Sequence, residues 1–257
     1  MADDPSSAAV SAAASGAVSA EELTATNRNF YDRLWGSSRL LSPERFSTWP
    51  LVSGLAALAS TRLEIGPGLR PRLPLAGTRF VDLSPAAVAR LSAAGGQAEV
   101  GSVLNVPAAD RSIALVCALD VVEHVVDDER VFSELDRVLA DHGTLLMSAP
   151  LFAARWTPFD AICGHHRRYE PDDLRARLAS HGLRIVQSAA YGMQPRQWLV
   201  DLGLWFMKWM PRRAMFFYNL AMPIALRLQP PLMLLDGDAA LAGGADEVLL
   251  VCRRTVG

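Results

Sequence analysis

The chain has 257 residues, a net charge of −2, about half its residues apolar and a fifth charged. That is length enough for one sizeable α/β domain, and the near-neutral balance excludes the basic footprint of a nucleic-acid binder. The three cysteines, Cys117, Cys163 and Cys252, are odd in number and far apart; they read as buried reduced thiols in a cytosolic compartment, and no metal-ligand spacing is visible.

Residues 1–20 are mostly Ala, Ser, Asp, Gly and Val, without the basic start and apolar core of a secretory signal, and read as a disordered tail. Residues 21–59 form a helical lid in two segments, with Phe30, Tyr31, Leu34 and Trp35 on one stripe and a second segment from Phe46 to Leu58. From residue 61 onward short apolar runs alternate with helical patterns. The runs are 61–65, 79–83, 97–101, 112–119, 143–149, 183–190 and 246–253, rich in Val, Leu and Ile as strands covered on both faces should be. Between them, Ser84-Pro85 opens a helix that Gly95 stops. A second helix over 127–141 opens on Asp127-Asp128 and is stopped by Gly143; a third opens on Pro171-Asp172-Asp173 and closes at Gly182. His142 and His181 read as caps at helix C-termini.

The alternation predicts a Rossmann-like, doubly wound, mostly parallel seven-stranded sheet, with the last strand antiparallel and a helical cap (195–235) inserted before it. The core sheet occupies 60–194 and 245–257. No uncharged apolar run reaches the roughly 18–20 residues needed to span a bilayer.

The most informative segment is Thr61-Arg-Leu-Glu64-Ile-Gly66-Pro-Gly68, followed by Phe80-Val-Asp82-Leu-Ser84. Each is a short strand ending near an acid. Gly66 and Gly68 allow a ligand to approach the backbone, and Asp82 is placed for a ribose diol. A dinucleotide site normally carries a third glycine opening a long helix. Here Pro71 and Pro74 interrupt any such helix, leaving little to hold a pyrophosphate. An acid at Glu64 suits a cationic ligand better, and S-adenosylmethionine combines a sulfonium, an ammonium and a ribose without phosphate.

Glu64-Ile-Gly-Pro-Gly68, Val81-Asp82-Leu-Ser84, Ala118-Leu-Asp-Val-Val-Glu-His124 and Arg137-Val-Leu-Ala-Asp-His-Gly143 resemble successive motifs of the class I S-adenosylmethionine-dependent methyltransferases, in the branch acting on small molecules and lipids. The resemblance covers about residues 60–190. It implies that Gly66 and Gly68 pass under the methionine portion of the cofactor, that Glu64 orders the turn or reaches the amino group, and that Asp82 binds the ribose. It places Ser102 and Val103 beside the adenine and Leu119 and Asp120 at the methionine end. Ser102 stands where the family often has an acid. Tyr31, on the N-terminal helix, is a further candidate contact. His124 matches the family's Glu-His pair, and His165 matches the histidine of a Gly-His-x-Arg-Arg-Tyr segment; each is a catalytic candidate or a structural hydrogen-bonding residue. Trp156, Phe159 and Tyr169 are candidates for the acceptor pocket, Tyr169 equally for a loop anchor.

Residues 195–235 carry three of the six tryptophans and, across 196–227, five Arg or Lys against one Asp. This composition fits a lid over an apolar acceptor, a helix on a membrane surface, or a homodimer contact. The expected activity is methyl transfer to O, N or C of a small hydrophobic acceptor. The alternatives are methylation of a lipid or protein at a membrane surface and a non-catalytic cofactor-binding scaffold. The expected place is the cytoplasm, with or without peripheral membrane contact.

Overall fold

The computed structural model describes residues 38–192 and 209–255, together with residues 32, 35, 36, 202 and 205. Tyr31, the tail 1–20 and most of 193–208 lie outside the described residues.

Eight strands form one sheet: β1 (Arg62–Ile65), β2 (Thr78–Asp82), β3 (Gln97–Val100), β4 (Ile113–Ala118), β5 (Leu139–Pro150), β6 (Leu183–Ala190), β7 (Leu235–Asp236) and β8 (Glu247–Arg254). Their order is β3-β2-β1-β4-β5-β8-β6-β7. The β3 to β5 half is parallel throughout, while β8 runs antiparallel between β5 and β6. The expected seven strands are therefore present, and a two-residue edge strand, β7, adds an eighth. It is too short to leave a periodic signal in the sequence.

Among the described residues, seven helices accompany the sheet: α1 (Trp49–Leu58), α2 (Pro85–Ala93), α3 (Asp128–Val138), α4 (Pro158–Cys163), α5 (Pro171–Ser180), α6 (Pro211–Arg227) and α7 (Ala239–Ala242). Ser84 caps α2, its hydroxyl accepting the Ala87 N–H, and Asp127 caps α3 by accepting from Arg130. Val131, Phe132, Leu135 and Val138 turn inward from α3, and Leu174 and Leu178 from α5, as their spacing requires.

The α3 boundary differs from the sequence expectation. The helix ends at Val138, not 141, and Leu139 already pairs with Ile113 in the sheet. Residues between Leu139 and Thr144 bulge out before the ladder resumes. Gly143 belongs to that tight bulge, where an added Cβ would meet the Leu139 side chain at 2.7 Å. His142 is consequently an exposed bulge residue and not a helix cap. His181 does sit at the α5 C-cap, with its Nε2 2.9 Å from the Glu129 carboxylate and its ring stacked on Phe132.

No helix joins β1 to β2. Residues after Gly68 fold back as an irregular segment that buries Leu69 and Leu73 completely. The sheet face left open is covered from the other side of β1 by α1, whose Val52 and Ala56 pack with Leu73, Leu115, Cys117, Leu146, Leu249 and Val251. The larger cluster, on the opposite face, joins the strands to α3, α5 and α7.

Candidate active site

The chain reverses its direction of travel across the sheet between β1 and β4, and in such sheets the crevice at the strand C-termini is where ligands bind. The glycine turn lies at the end of β1. Gly66 and Gly68 both have positive φ, 65° and 52°, which only glycine adopts without strain. A Cβ on Gly66 would meet Val121 at 2.9 Å, and one on Gly68 would meet the Trp35 indole at 2.3 Å. Trp35 is the aromatic that closes over the turn, in a small cluster with Leu69 and Ala87. The sequence placed Trp35 on an apolar stripe, but nothing there distinguished it from a core residue.

Glu64 is buried, and its carboxylate accepts the backbone N–H groups of Arg72 at 2.8 Å and Leu73 at 2.8 Å. It therefore ties down the irregular segment at Arg72 and Leu73, beyond the glycine turn. Burial raises its pKa to about 7, against the pull of those N–H groups and the Arg72 charge. Arg72 was not foreseen as part of the site. Its guanidinium lies 3.7 Å over the Phe46 ring and donates to the Tyr191 hydroxyl at 3.1 Å and to the Arg70 carbonyl at 2.6 Å.

Asp82, at the end of β2, is buried; one carboxylate oxygen accepts from Gly68 N–H and the other from Ser84 N–H, each at 2.8 Å. Burial moves its pKa up, opposed by these two N–H groups. Ser102 accepts the Leu104 N–H at 3.2 Å in a tight turn after β3, and Val103 is buried in the same core cluster as Ile65 and Val81. Leu119 is buried at the end of β4. Asp120 follows in the left-handed region at φ 57°, held by Ser148, whose hydroxyl accepts the Asp120 N–H at 2.8 Å and donates back to its carboxylate.

The turn after β4 and the loop after α4 meet. A 3-10 turn (Val122–His124) carries Glu123 and His124. The loop carrying His165 is pinned to it by the His166 N–H, which donates to the Glu123 carbonyl at 2.7 Å. The His124 and His165 rings stand edge to face with centroids 4.6 Å apart. His165 Nδ1 lies 2.9 Å from the Asp160 carboxylate, which Arg168 grips with two N–H groups and Thr157 joins in a capping box. Burial holds the His124 pKa down at about 3, the neighbouring His165 ring disfavouring a second charge, and burial lowers His165 as well despite Asp160. Burial and the Asp120 charge push the Glu123 carboxyl well above its usual range. Both rings are thus neutral, weak bases as placed.

Of the pocket candidates, Trp156 and Phe159 are 44% and 46% exposed on the loop and helix after β5. Tyr169 is not a pocket wall. It is 3% exposed, its ring packs edge-on to Phe132, and its hydroxyl donates to the Asp128 carboxylate at 3.0 Å. Asp128 also pairs with Arg167 and Arg177, so Tyr169 anchors the loop to α3.

The residues present fit a sulfonium nucleoside. The cradle has no room for a Cβ at either glycine, the crevice is lined by the acids Asp82 and Asp120, and the segment after Gly68 forms no helix that could receive a pyrophosphate.

Comparison with known proteins agrees. Residues 63–147 match the family described as "Methyltransferase domain". A search of curated protein sequences gives no match. Among solved structures, a SAM-dependent methyltransferase described as a possible histamine N-methyltransferase from Thermotoga maritima is similar, with 16% identity, TM-score 0.55 and coverage of 91% of this chain and 94% of that one. A SAM-dependent methyltransferase from Methanosarcina mazei has 11% identity, TM-score 0.53 and coverage of 81% and 99%. The [4+2]-cyclase SpnF has 14% identity, TM-score 0.52 and coverage of 81% and 80%. At these identities the structures attest the fold, and the matched motifs attest the domain. Residues 63–147 thus carry a methyltransferase domain, on a fold consistent with the class I S-adenosylmethionine-dependent methyltransferases.

Proposed function

We propose that this methyltransferase acts on oxygen, nitrogen or carbon of a small hydrophobic acceptor. The observation that carries the reading is the outward side of α6. Met222 and Leu226 dock on Leu41 and Phe46, yet Phe217, Leu220, Ile224 and Leu228 remain exposed, with Leu202, Trp205, Trp209, Met233 and Leu234 exposed nearby in the chain. Trp156 and Phe159 add exposed aromatic surface.

In this reading Asp82 takes the ribose hydroxyls, and Gly66 and Gly68 pass under the methionine portion, with Glu64 holding the segment behind them. Ser102 and Val103 flank the adenine, Leu119 and Asp120 the methionine end, and Tyr31 contacts the cofactor from the N-terminal side. When bound, S-adenosylmethionine supplies a methyl group already activated by its sulfonium. The work left to the chain is alignment and exclusion of water, which supply much of the rate of an in-line displacement. His124 and His165 stand together on the acceptor side of the crevice.

The exposed apolar side of α6, with Arg213 and Arg227 on the same helix, favours a second reading in which the acceptor is met at a membrane surface. No described helix is long and apolar enough to cross a membrane. Methyl transfer from labelled S-adenosylmethionine to a panel of apolar and polar acceptors tests the first reading; turnover confined to polar metabolites counts against it. Flotation with anionic vesicles tests the second, which requires co-flotation that weakens at high salt.

A further inference from the structure

We propose that Glu123, His124 and His165 form a binding site for one divalent transition-metal ion of the zinc class. Their ligand atoms lie within 4.8 Å of one another. Glu123 Oε1 stands 3.8 Å from His124 Nε2 and 3.9 Å from His165 Nε2, beyond hydrogen-bond distance in both cases.

The tautomers follow from the outer partners. His124 Nδ1 lies 3.3 Å from the Gly164 carbonyl, and a carbonyl only accepts, so that nitrogen carries the proton. His165 Nδ1 donates in the same way to the Asp160 carboxylate, which is fixed by Arg168. Each ring therefore turns an Nε2 lone pair toward the Glu123 carboxylate. Two Nε2 lone pairs and the Glu123 carboxyl face one another at separations too long for a hydrogen bond, an arrangement that a cation resolves by displacing the carboxyl proton. Glu123 is also buried, and its Oε2 has no hydrogen-bond partner among the described residues. A buried carboxylate oxygen left without a partner is costly.

The outer contacts match those of metal-ligating histidines, which donate the second ring N–H to a carboxylate or a backbone carbonyl. Here one histidine does each. Two imidazoles and one carboxylate suit zinc, cobalt or a similar ion, and do not suit magnesium or calcium, which take oxygen ligands. A tetrahedral ion with donors at about 2.0–2.2 Å needs them roughly 3.3–3.6 Å apart, so the two Glu–His separations have a few tenths of an ångström to close. Three protein ligands leave a tetrahedral ion one open position, and the Asp120 charge acts on all three residues.

The test uses the full chain, stripped with a chelator and titrated with Co²⁺, then with Zn²⁺ in competition. One Co²⁺ per chain should bind with a visible d–d absorption that Zn²⁺ abolishes. Glu123→Gln and His165→Asn should each weaken binding roughly tenfold or more. His165→Asn keeps an amide N–H for Asp160 while removing the inward nitrogen, and circular dichroism checks its fold; His124→Asn, which keeps an N–H for the Gly164 carbonyl, serves in its place if it unfolds. No saturable absorption in the folded parent chain, or parental affinity in the folded variants, overturns the site.

Discussion

The Gly68 N–H donates to the Asp82 carboxylate at 2.8 Å, so the glycine turn after β1 and the acid at the end of β2 hold each other in place. In the proposed ribose role, Asp82 makes cofactor contact and local architecture with the same atoms. Asp82→Ala should weaken S-adenosylmethionine binding at least roughly tenfold, the value of one hydrogen bond to a charged group. Asp82→Asn, which keeps one accepting oxygen, should fall between. Calorimetric titration measures both, and parental affinity in the alanine variant would remove Asp82 from the ribose role.

Gly68 is constrained twice, by its φ of 52° and by the Trp35 ring over its α-carbon. Gly68→Ala should cost on the order of 2–4 kcal/mol, from left-handed strain plus overpacking. Trp35→Ala removes the overpacking but not the strain. The double variant should therefore be at least about 1 kcal/mol more stable than the sum of the single effects predicts. Urea unfolding reads this coupling, and simple additivity would show that the indole does not limit the turn.

Glu64 has a folded pKa of about 7 against an ordinary 4.5. The folded state then binds its proton more tightly than the unfolded state. Its contribution is fully present below about pH 4.5 and is lost as pH rises through about 7. Relative to Glu64→Gln, the parent should lose on the order of 2–3 kcal/mol between pH 4.5 and pH 8. Denaturant melts of both proteins at several pH values make the comparison, since other titrating groups cancel in the difference. Parallel curves would mean that Glu64 is ionised throughout.

Tyr169 and the two exposed aromatics should separate cleanly. Tyr169→Phe removes a hydrogen bond to a buried carboxylate and should cost about 1–2 kcal/mol of stability while leaving turnover of the folded enzyme unchanged. Trp156→Ala and Phe159→Ala should change stability by less than about 0.5 kcal/mol and raise the acceptor KM. A thermal melt and steady-state kinetics on the three variants decide it; a KM effect from Tyr169→Phe alone would return that residue to the pocket.

The sheet was legible because its strands are short, apolar and bounded by glycine and capping residues, and because Gly66, Gly68 and Asp82 follow strand ends at a spacing few folds share. Two kinds of feature were not. The end of α3 was missed because the sheet captures Leu139 directly, a tertiary pairing that overrides a continuing helical pattern. Arg72, Trp35 and the grouping of Glu123 with two histidines were missed because their meaning depends on contacts across the chain. His124 and His165 come from separate loops, so no local spacing announces them as a set. Tyr169 shows the converse: its motif was visible, but only burial reveals that it faces the core.

The missing crossover helix has a practical consequence for the smallest unit that can fold. The family match begins at residue 63, yet the apolar face over β1 and β4 is closed by Val52 and Ala56, which precede it. A truncation starting at 63 would keep every glycine and acid of the crevice and still leave Leu115, Cys117 and Leu146 facing water. Such a fragment should aggregate, whereas one starting near residue 38 retains the covering layer. The segment before the recognised domain is one wall of its core.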